Sequence, residues 1–125
     1  MKSIFWTTII LLLTSFSCID EEETMLRDQL SLDQLRSEIK ALSESVACTN
    51  ANQWKFAPMG SKACGGPESY IAYHQSVENS ILPLIEQYTF NKAEYNSRNN
   101  IISDCLLVAA PRGVTCENGK PVLFY

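Results

Sequence analysis

The chain lacks most of what marks an enzyme or a nucleic-acid binder. It holds one histidine, His74, in 125 residues. No Cys-x-x-Cys pair occurs, so the spacing that builds tetrahedral zinc sites is missing. Also missing are a Gly-x-Ser-x-Gly elbow, a phosphate-cradling glycine loop, a dinucleotide fingerprint and a calcium loop. Neither a metal nor a cofactor is expected. No cluster of Lys and Arg occurs: Lys55, Lys62, Lys92, Arg98, Arg112 and Lys120, among the ten basic residues, are scattered singly. The electrostatic footprint that neutralises phosphates is therefore absent, and nucleic acid is not an expected partner. Beyond residue 13 no apolar run approaches the ~20 residues that cross a bilayer as a helix, so an integral membrane protein is not expected.

What the chain does have begins at its N-terminus. Met1-Lys2-Ser3 carries one positive charge, Ile4 to Leu13 is apolar, and Thr14 and Ser15 follow. This is the three-part pattern of an export signal. Two cleavage readings compete. Ser15-Phe16-Ser17 satisfies the small-x-small rule of ordinary signal peptidase, while Ser17-Cys18 resembles the end of a bacterial lipobox, with Ser15 and Phe16 replacing the usual Leu and small residue. Five cysteines, at 18, 48, 64, 105 and 116, leave an odd member, and an odd exported cysteine needs a partner or a modification. Lipidation of Cys18 removes the oddity. The run Ile19-Asp20-Glu21-Glu22-Glu23 resembles the acidic export signal that Bacteroidota place after the lipidated cysteine of surface lipoproteins, although an acidic run can equally be a solvated linker. A multiply acylated cysteine anchors stably without a basic patch. Residues 1–17 are thus read as a lipoprotein signal peptide, and the protein as lipid-anchored at the outer membrane, facing the periplasm or the surface.

The 108 residues after residue 17 suffice for one ordinary domain and are too few for two. All 14 acidic residues lie there with nine of the ten basic ones, and residues 20–23 supply four of the acids. The folded portion is therefore nearly neutral.

Thr24 to Val46 reads as helical, with Leu32, Leu35, Ile39, Leu42 and Val46 on one face. Ser31-Leu32-Asp33-Gln34 has the form of a capping box, and Leu30 with Leu35 that of a hydrophobic staple, which sets the helix entry near Leu32. This gives an acidic tether over 18–30, an amphipathic helix over 31–47 and a disulfide-stabilised domain over 48–125. The stripe covers about two heptads, short of a persuasive coiled coil, and a monomer is expected. Trp54 and Phe56 alternate with polar neighbours as a short strand ending at Pro58, and Tyr70 to His74 reads as a second. Asn79 or Ser80 can cap a second helix with Pro83 in its first turn and Ile81, Leu84, Ile85, Tyr88 and Tyr95 inward. Leu106 to Ala110 reads as a buried strand. Val114–Glu117 and Lys120–Tyr125 flank Asn118-Gly119, which type I′ hairpin turns require, and Pro121 assigns the last strand to an edge. The expected fold is α+β: a small antiparallel sheet with a C-terminal β-hairpin, backed by two helices.

From Cys48 onward a sequence of motifs accumulates: Trp54-Lys55-Phe56, Gly60-Ser61-Lys62-Ala63-Cys64-Gly65-Gly66-Pro67, Tyr70-Ile71-Ala72-Tyr73, Ser103-Asp104-Cys105, Pro111, Gly113-Val114-Thr115-Cys116 and Asn118-Gly119-Lys120. Over about two thirds of the chain this resembles a family of small exported and lipoprotein domains of Bacteroidota and other Gram-negative bacteria, to which no activity is attached. The resemblance implies one exported domain in which Cys48, Cys64, Cys105 and Cys116 are structural. In an oxidising compartment these four would form two disulfides. Three connectivities are possible. Cys48–Cys116 with Cys64–Cys105 would tie distant segments to the sheet, and adjacent pairing, Cys48–Cys64 with Cys105–Cys116, is its main rival.

Candidates for chemistry are few. A catalytic thiolate must be free, and the odd cysteine lies at the signal cleavage site. His74 alternates with Tyr70 and Ala72 on a strand, where it is either a general base beside a tyrosine or a hydrogen-bonded sheet residue. Glu78, Glu86 and Glu94 are eight apart, which on a helix drifts about 80° per step, so they read as a solvated face. The turn Cys64-Gly65-Gly66-Pro67, with Lys62 near its start, reads as a rigid loop of the kind small inhibitors present, or as a tight structural turn. The expected function is a small non-enzymatic binding domain for an envelope or extracellular protein or glycan, with an inhibitor-like module as its sharper form. The alternative is a small cell-envelope hydrolase using His74. Metabolic labelling with a palmitate analogue should tag the wild type and not Cys18→Ser; an intact protein that starts at Cys18 with a free thiol would refute the anchor.

Overall fold

The structure is a computed structural model that describes residues 20–125. The export signal and Cys18 lie outside the described residues. The first helix, α1, runs from Glu21 to Ser43 without interruption, so it starts a full three turns before the expected entry at Leu32, and most of the expected tether is helical. Ser31 sits mid-helix and caps nothing. The start is set instead by electrostatics. Glu21, Glu22 and Glu23 occupy the first turn, where the helix dipole favours negative charge, and Glu23 pairs with Arg27 one turn on at 2.7 Å. An i, i+4 pair of this kind adds a few tenths of a kcal/mol, about 0.2–0.5.

The second helix, α2, spans Glu78–Arg98 and is entered through a short 3₁₀ turn at Gln75–Val77. It begins before the predicted cap, which moves Pro83 from the first turn into the second. The proline's missing N–H leaves the Asn79 carbonyl without its helical donor. Both residues are exposed, so solvent satisfies that carbonyl. The two helices pack antiparallel. Arg98, the last residue of α2, pairs with Asp28 near the start of α1 at 3.0 Å. Between them the predicted stripe does its packing: Leu32 and Ile39 meet Ile81, Ile85, Tyr88 and Tyr95, with Leu35, Leu42 and Leu84 at the margin. Ile39 and Ile81 are entirely out of solvent.

Two antiparallel hairpins complete the fold as separate two-stranded sheets, an α+β arrangement braced by two disulfides. In the first, β1 (Trp54–Met59) pairs with β2 (Ser69–His74). β1 continues through Pro58, because Pro58 faces Tyr70 at a position where no ladder donor is required. In the second, β3 (Gly113–Glu117) pairs with β4 (Lys120–Phe124) around Asn118-Gly119, whose φ values of 51° and 77° are those the tight turn demands. Met59 and Tyr73 of the first hairpin join the helical core. Its other face, with Trp54 and Ala72, meets Cys48 and, from the second hairpin, Val114, Cys116 and Leu123 in a second apolar cluster. The Ser43 hydroxyl donates to the Ala72 carbonyl, which fastens α1 to β2.

Cys48 is bonded to Cys116 and Cys64 to Cys105, with Cα–Cα distances of 5.3 and 5.5 Å. The predicted strand at Leu106 to Ala110 does not form. This stretch is irregular, with Leu106 75% and Leu107 89% exposed. Its neighbours explain why: Cys105 is bonded to the Cys64 turn, and the Leu106 carbonyl accepts from Lys62 at 2.7 Å. These anchors hold it against a loop rather than a strand edge, so no ladder is on offer.

Urea titration distinguishes the forces. Ile39→Ala should lower stability by about 2–5 kcal/mol, and removal of Cys48–Cys116 by a double alanine substitution by about 2–5 kcal/mol. Ser31→Ala should be neutral or slightly stabilising, since alanine is the better mid-helix residue. A loss near 1 kcal/mol would instead mean that Ser31 caps a helix beginning at Leu32.

Candidate functional site

The glycine turn is the loop that joins the two strands of the first hairpin, and its geometry is set by its own backbone. The Lys62 N–H donates to the Gly66 carbonyl and the Gly65 N–H to the Lys62 carbonyl, each at 2.9 Å. Gly65 and Gly66 both adopt positive φ, 93° and 81°, which a side chain would strain. The turn is braced from outside as well. Asn96 donates to the Ser61 carbonyl at 2.7 Å and Thr89 accepts from the Gly60 N–H at 3.0 Å. Lys62 does not project as a binding cation. Its side chain is 14% exposed and bonds the Asp104 carboxylate and the Leu106 carbonyl. The hydrogen bond from Lys62 and its charge hold the Asp104 carboxyl below the usual aspartate range. Gly65 and Gly66 remain exposed, with Pro67 half-buried at the exit.

His74 is engaged in local structure. Its Nδ1 accepts from the Ser76 N–H at 3.1 Å and lies 2.7 Å from the Ser76 hydroxyl, so it caps the 3₁₀ turn into α2. Its ring meets Trp54 edge-on at 5.4 Å between centroids. Its Nε2 faces the Gln53 side-chain oxygen at 3.5 Å, and among the described residues no carboxylate is a hydrogen-bond partner of the ring. Glu78, Glu86 and Glu94 are not brought together: Glu78 pairs with Lys55 at 2.7 Å, and Glu86 and Glu94 are exposed along α2. Among the described residues no group of three or more His, Cys, Asp or Glu is placed to hold a metal, and no helix is long and apolar enough to cross a membrane.

A different feature unites polar and apolar groups. A groove of about 640 Å³ runs between α1, β2 and β4. Arg36 and Lys40, one turn apart on α1, form one wall, and Lys120 at the start of β4 enters from the other; Met59, Ile71, Val122 and Leu123 supply apolar lining. Among the described residues none of these three cations has an ion-pair partner, and Glu44 is the single acid in the lining. The groove is thus positive on a chain of net charge −4. Its walls also include strand edges. The Ala72 carbonyl points away from β1 toward Ser43, and antiparallel alternation turns the Tyr70 peptide the same way. Pro121 opposite Cys116 marks the equivalent outward register on β4.

Sequence reasoning missed this groove. The Arg36/Lys40 spacing was visible as an i, i+4 pair, but Lys120 joins it only because the second hairpin folds back across β2, a long-range event with no local signature. Comparison with protein-family models, with curated proteins and with solved structures finds no match.

The Lys62–Asp104 brace has a pH signature. The Asp104 pKa is lowered in the folded chain, so its contribution is present above the unfolded value of about 3.9 and is lost as pH falls through the folded value. Amide exchange, compared with a base-line corrected for intrinsic rates, should show residues 62–66 losing protection on acidification ahead of α1. In Asp104→Asn that protection should already be reduced at pH 7. Equal protection in the variant and the wild type across the titration would remove the brace from the account of the loop.

Proposed function

We propose that the protein is an outer-membrane-anchored lipoprotein whose domain captures an acidic, extended segment of an envelope or extracellular protein, without catalysing a reaction on it. The observation that carries this reading is the groove in which Arg36, Lys40 and Lys120, without an ion-pair partner among the described residues, stand above an apolar lining. Charge-assisted hydrogen bonds from the cations to carboxylates are roughly twice as strong as neutral ones. Ile71, Val122 and Leu123 offer contact to apolar side chains of the same segment, and the outward peptide of Tyr70 offers main-chain pairing of the kind used when a strand adds to a sheet edge.

The anchor reading draws support from the pairing of the cysteines. With Cys48, Cys64, Cys105 and Cys116 joined in two bonds, Cys18 is the one member left over, directly ahead of the acidic run. The hydrolase reading through His74 has less to stand on, because its Nδ1 is committed to Ser76 and no carboxylate is among its hydrogen-bond partners.

The test uses a synthetic peptide alternating Glu with Val, a neutral Gln analogue, and a polyuronic glycan as probes, titrated against the wild type and Arg36→Glu/Lys40→Glu. The acidic peptide should bind in preference to its analogue and lose at least about tenfold in affinity in the variant, which corresponds to about 1.4 kcal/mol. Raised salt should weaken it further. Equal binding of the Gln analogue, or no effect of the charge reversal, would sink the proposal; binding of the glycan alone would move the ligand to another class.

A further inference from the structure

The end of the domain where α1 begins carries apolar side chains that no other described residue covers. Ile102 is 92% exposed, and Leu106 and Leu107 project with it from the stretch that forms no strand. Several contacts fix that stretch at this end. The Arg98–Asp28 pair sets the end of α2 beside the first turns of α1. Ile101, three residues on, packs against the helical core, and the Lys62 and Cys64 contacts hold residues 104–106 to the glycine turn. On α1 itself Leu26 and Leu30, one turn apart, are also exposed on the same end.

We propose that Ile102, Leu106 and Leu107 rest in the interfacial layer of the bilayer, the contact being made because Cys18 holds this end of the domain to the membrane. The inference depends on the lipoprotein reading above. The occupant is argued from the chain itself. Cys18 precedes Asp20 by two residues, a reach of at most ~7 Å, and the helix from Glu21 to Asp28 adds roughly 10 Å. Acyl chains on Cys18 are thereby kept within a few nanometres of the loop. The patch also suits lipid chemically. Asp104, the one acid between Ile102 and Val108, is neutralised by Lys62, so apolar side chains can enter without dragging an unpaired charge with them. The Cys64–Cys105 bond ties the chain to the glycine turn at residue 105, and Leu106 and Leu107 beside it are exposed. Glu21, Glu22 and Glu23 nearby oppose any reliance on anionic headgroups, so the contact is apolar and insensitive to salt.

The full lipoprotein, purified from membranes, is reconstituted into phosphatidylethanolamine vesicles with brominated acyl chains, as wild type and as Leu107→Trp. In the variant the added emission should fall by half or more relative to unbrominated vesicles, at low and high salt alike. In the wild type, Trp54, buried at the other end of the first hairpin, should be unaffected. An acylated protein, verified by mass, whose Trp at 107 is not quenched would overturn the inference and leave the anchor standing. A protein without acyl chains would remove the anchor and the inference together. Shielding of the 107 indole in a concentration-dependent dimer, seen by sedimentation, would assign the patch to a second copy and overturn the inference as well.

Discussion

A two-stranded hairpin is marginal in water, because each strand leaves one edge unpaired and the pair has little apolar face to bury. This chain contains two of them, and both depend on the seam between α1 and α2. Ile39 and Ile81 lie at the centre of that seam, fully removed from solvent, and Tyr73 and Met59 give the first hairpin a place against it. The second hairpin touches the helical core hardly at all. It rests on the far face of the first through Trp54, Ala72 and Leu123, and Cys48, just beyond α1, is bonded to Cys116 within it. Stability is therefore layered: helices first, then one hairpin, then the other.

That layering explains which parts of the fold were legible in the sequence. The Leu32/Leu35/Ile39/Leu42 stripe is periodic and faces the partner helix, and Asn118-Gly119 specifies its turn through backbone angles alone. Both are local signals. The start of α1 was misread because Ser31-Leu32-Asp33-Gln34 has the form of a cap, whereas three consecutive acids upstream and the Glu23–Arg27 pair carry the helix past it. Leu106 to Ala110 was misread because a continuous apolar run cannot tell a buried strand from an exposed loop; the Lys62 and Cys64 contacts that decide between them lie some forty residues away in sequence.

The candidate site shows the same limit from the other side. The glycine turn was visible as a motif, yet in the fold its lysine is an internal brace. The cations of the groove are two helix residues outside any motif, Arg36 and Lys40, and Lys120, whose motif marked only a hairpin turn. His74 likewise reads as chemistry in isolation and as a cap in context. In each case the deciding fact is what the side chain is already bonded to.

The bond between Cys48 and Cys116 also defines how the molecule would carry a load. A pull applied between the start of α1 and a segment held in the groove would run along the helix, reach Cys48, and cross covalently into β3. It would bypass the apolar contacts between the hairpins. The ladder between β3 and β4 and the turns of α1 would bear the tension instead, so the groove would keep its two walls together under forces that would otherwise peel the C-terminal hairpin away.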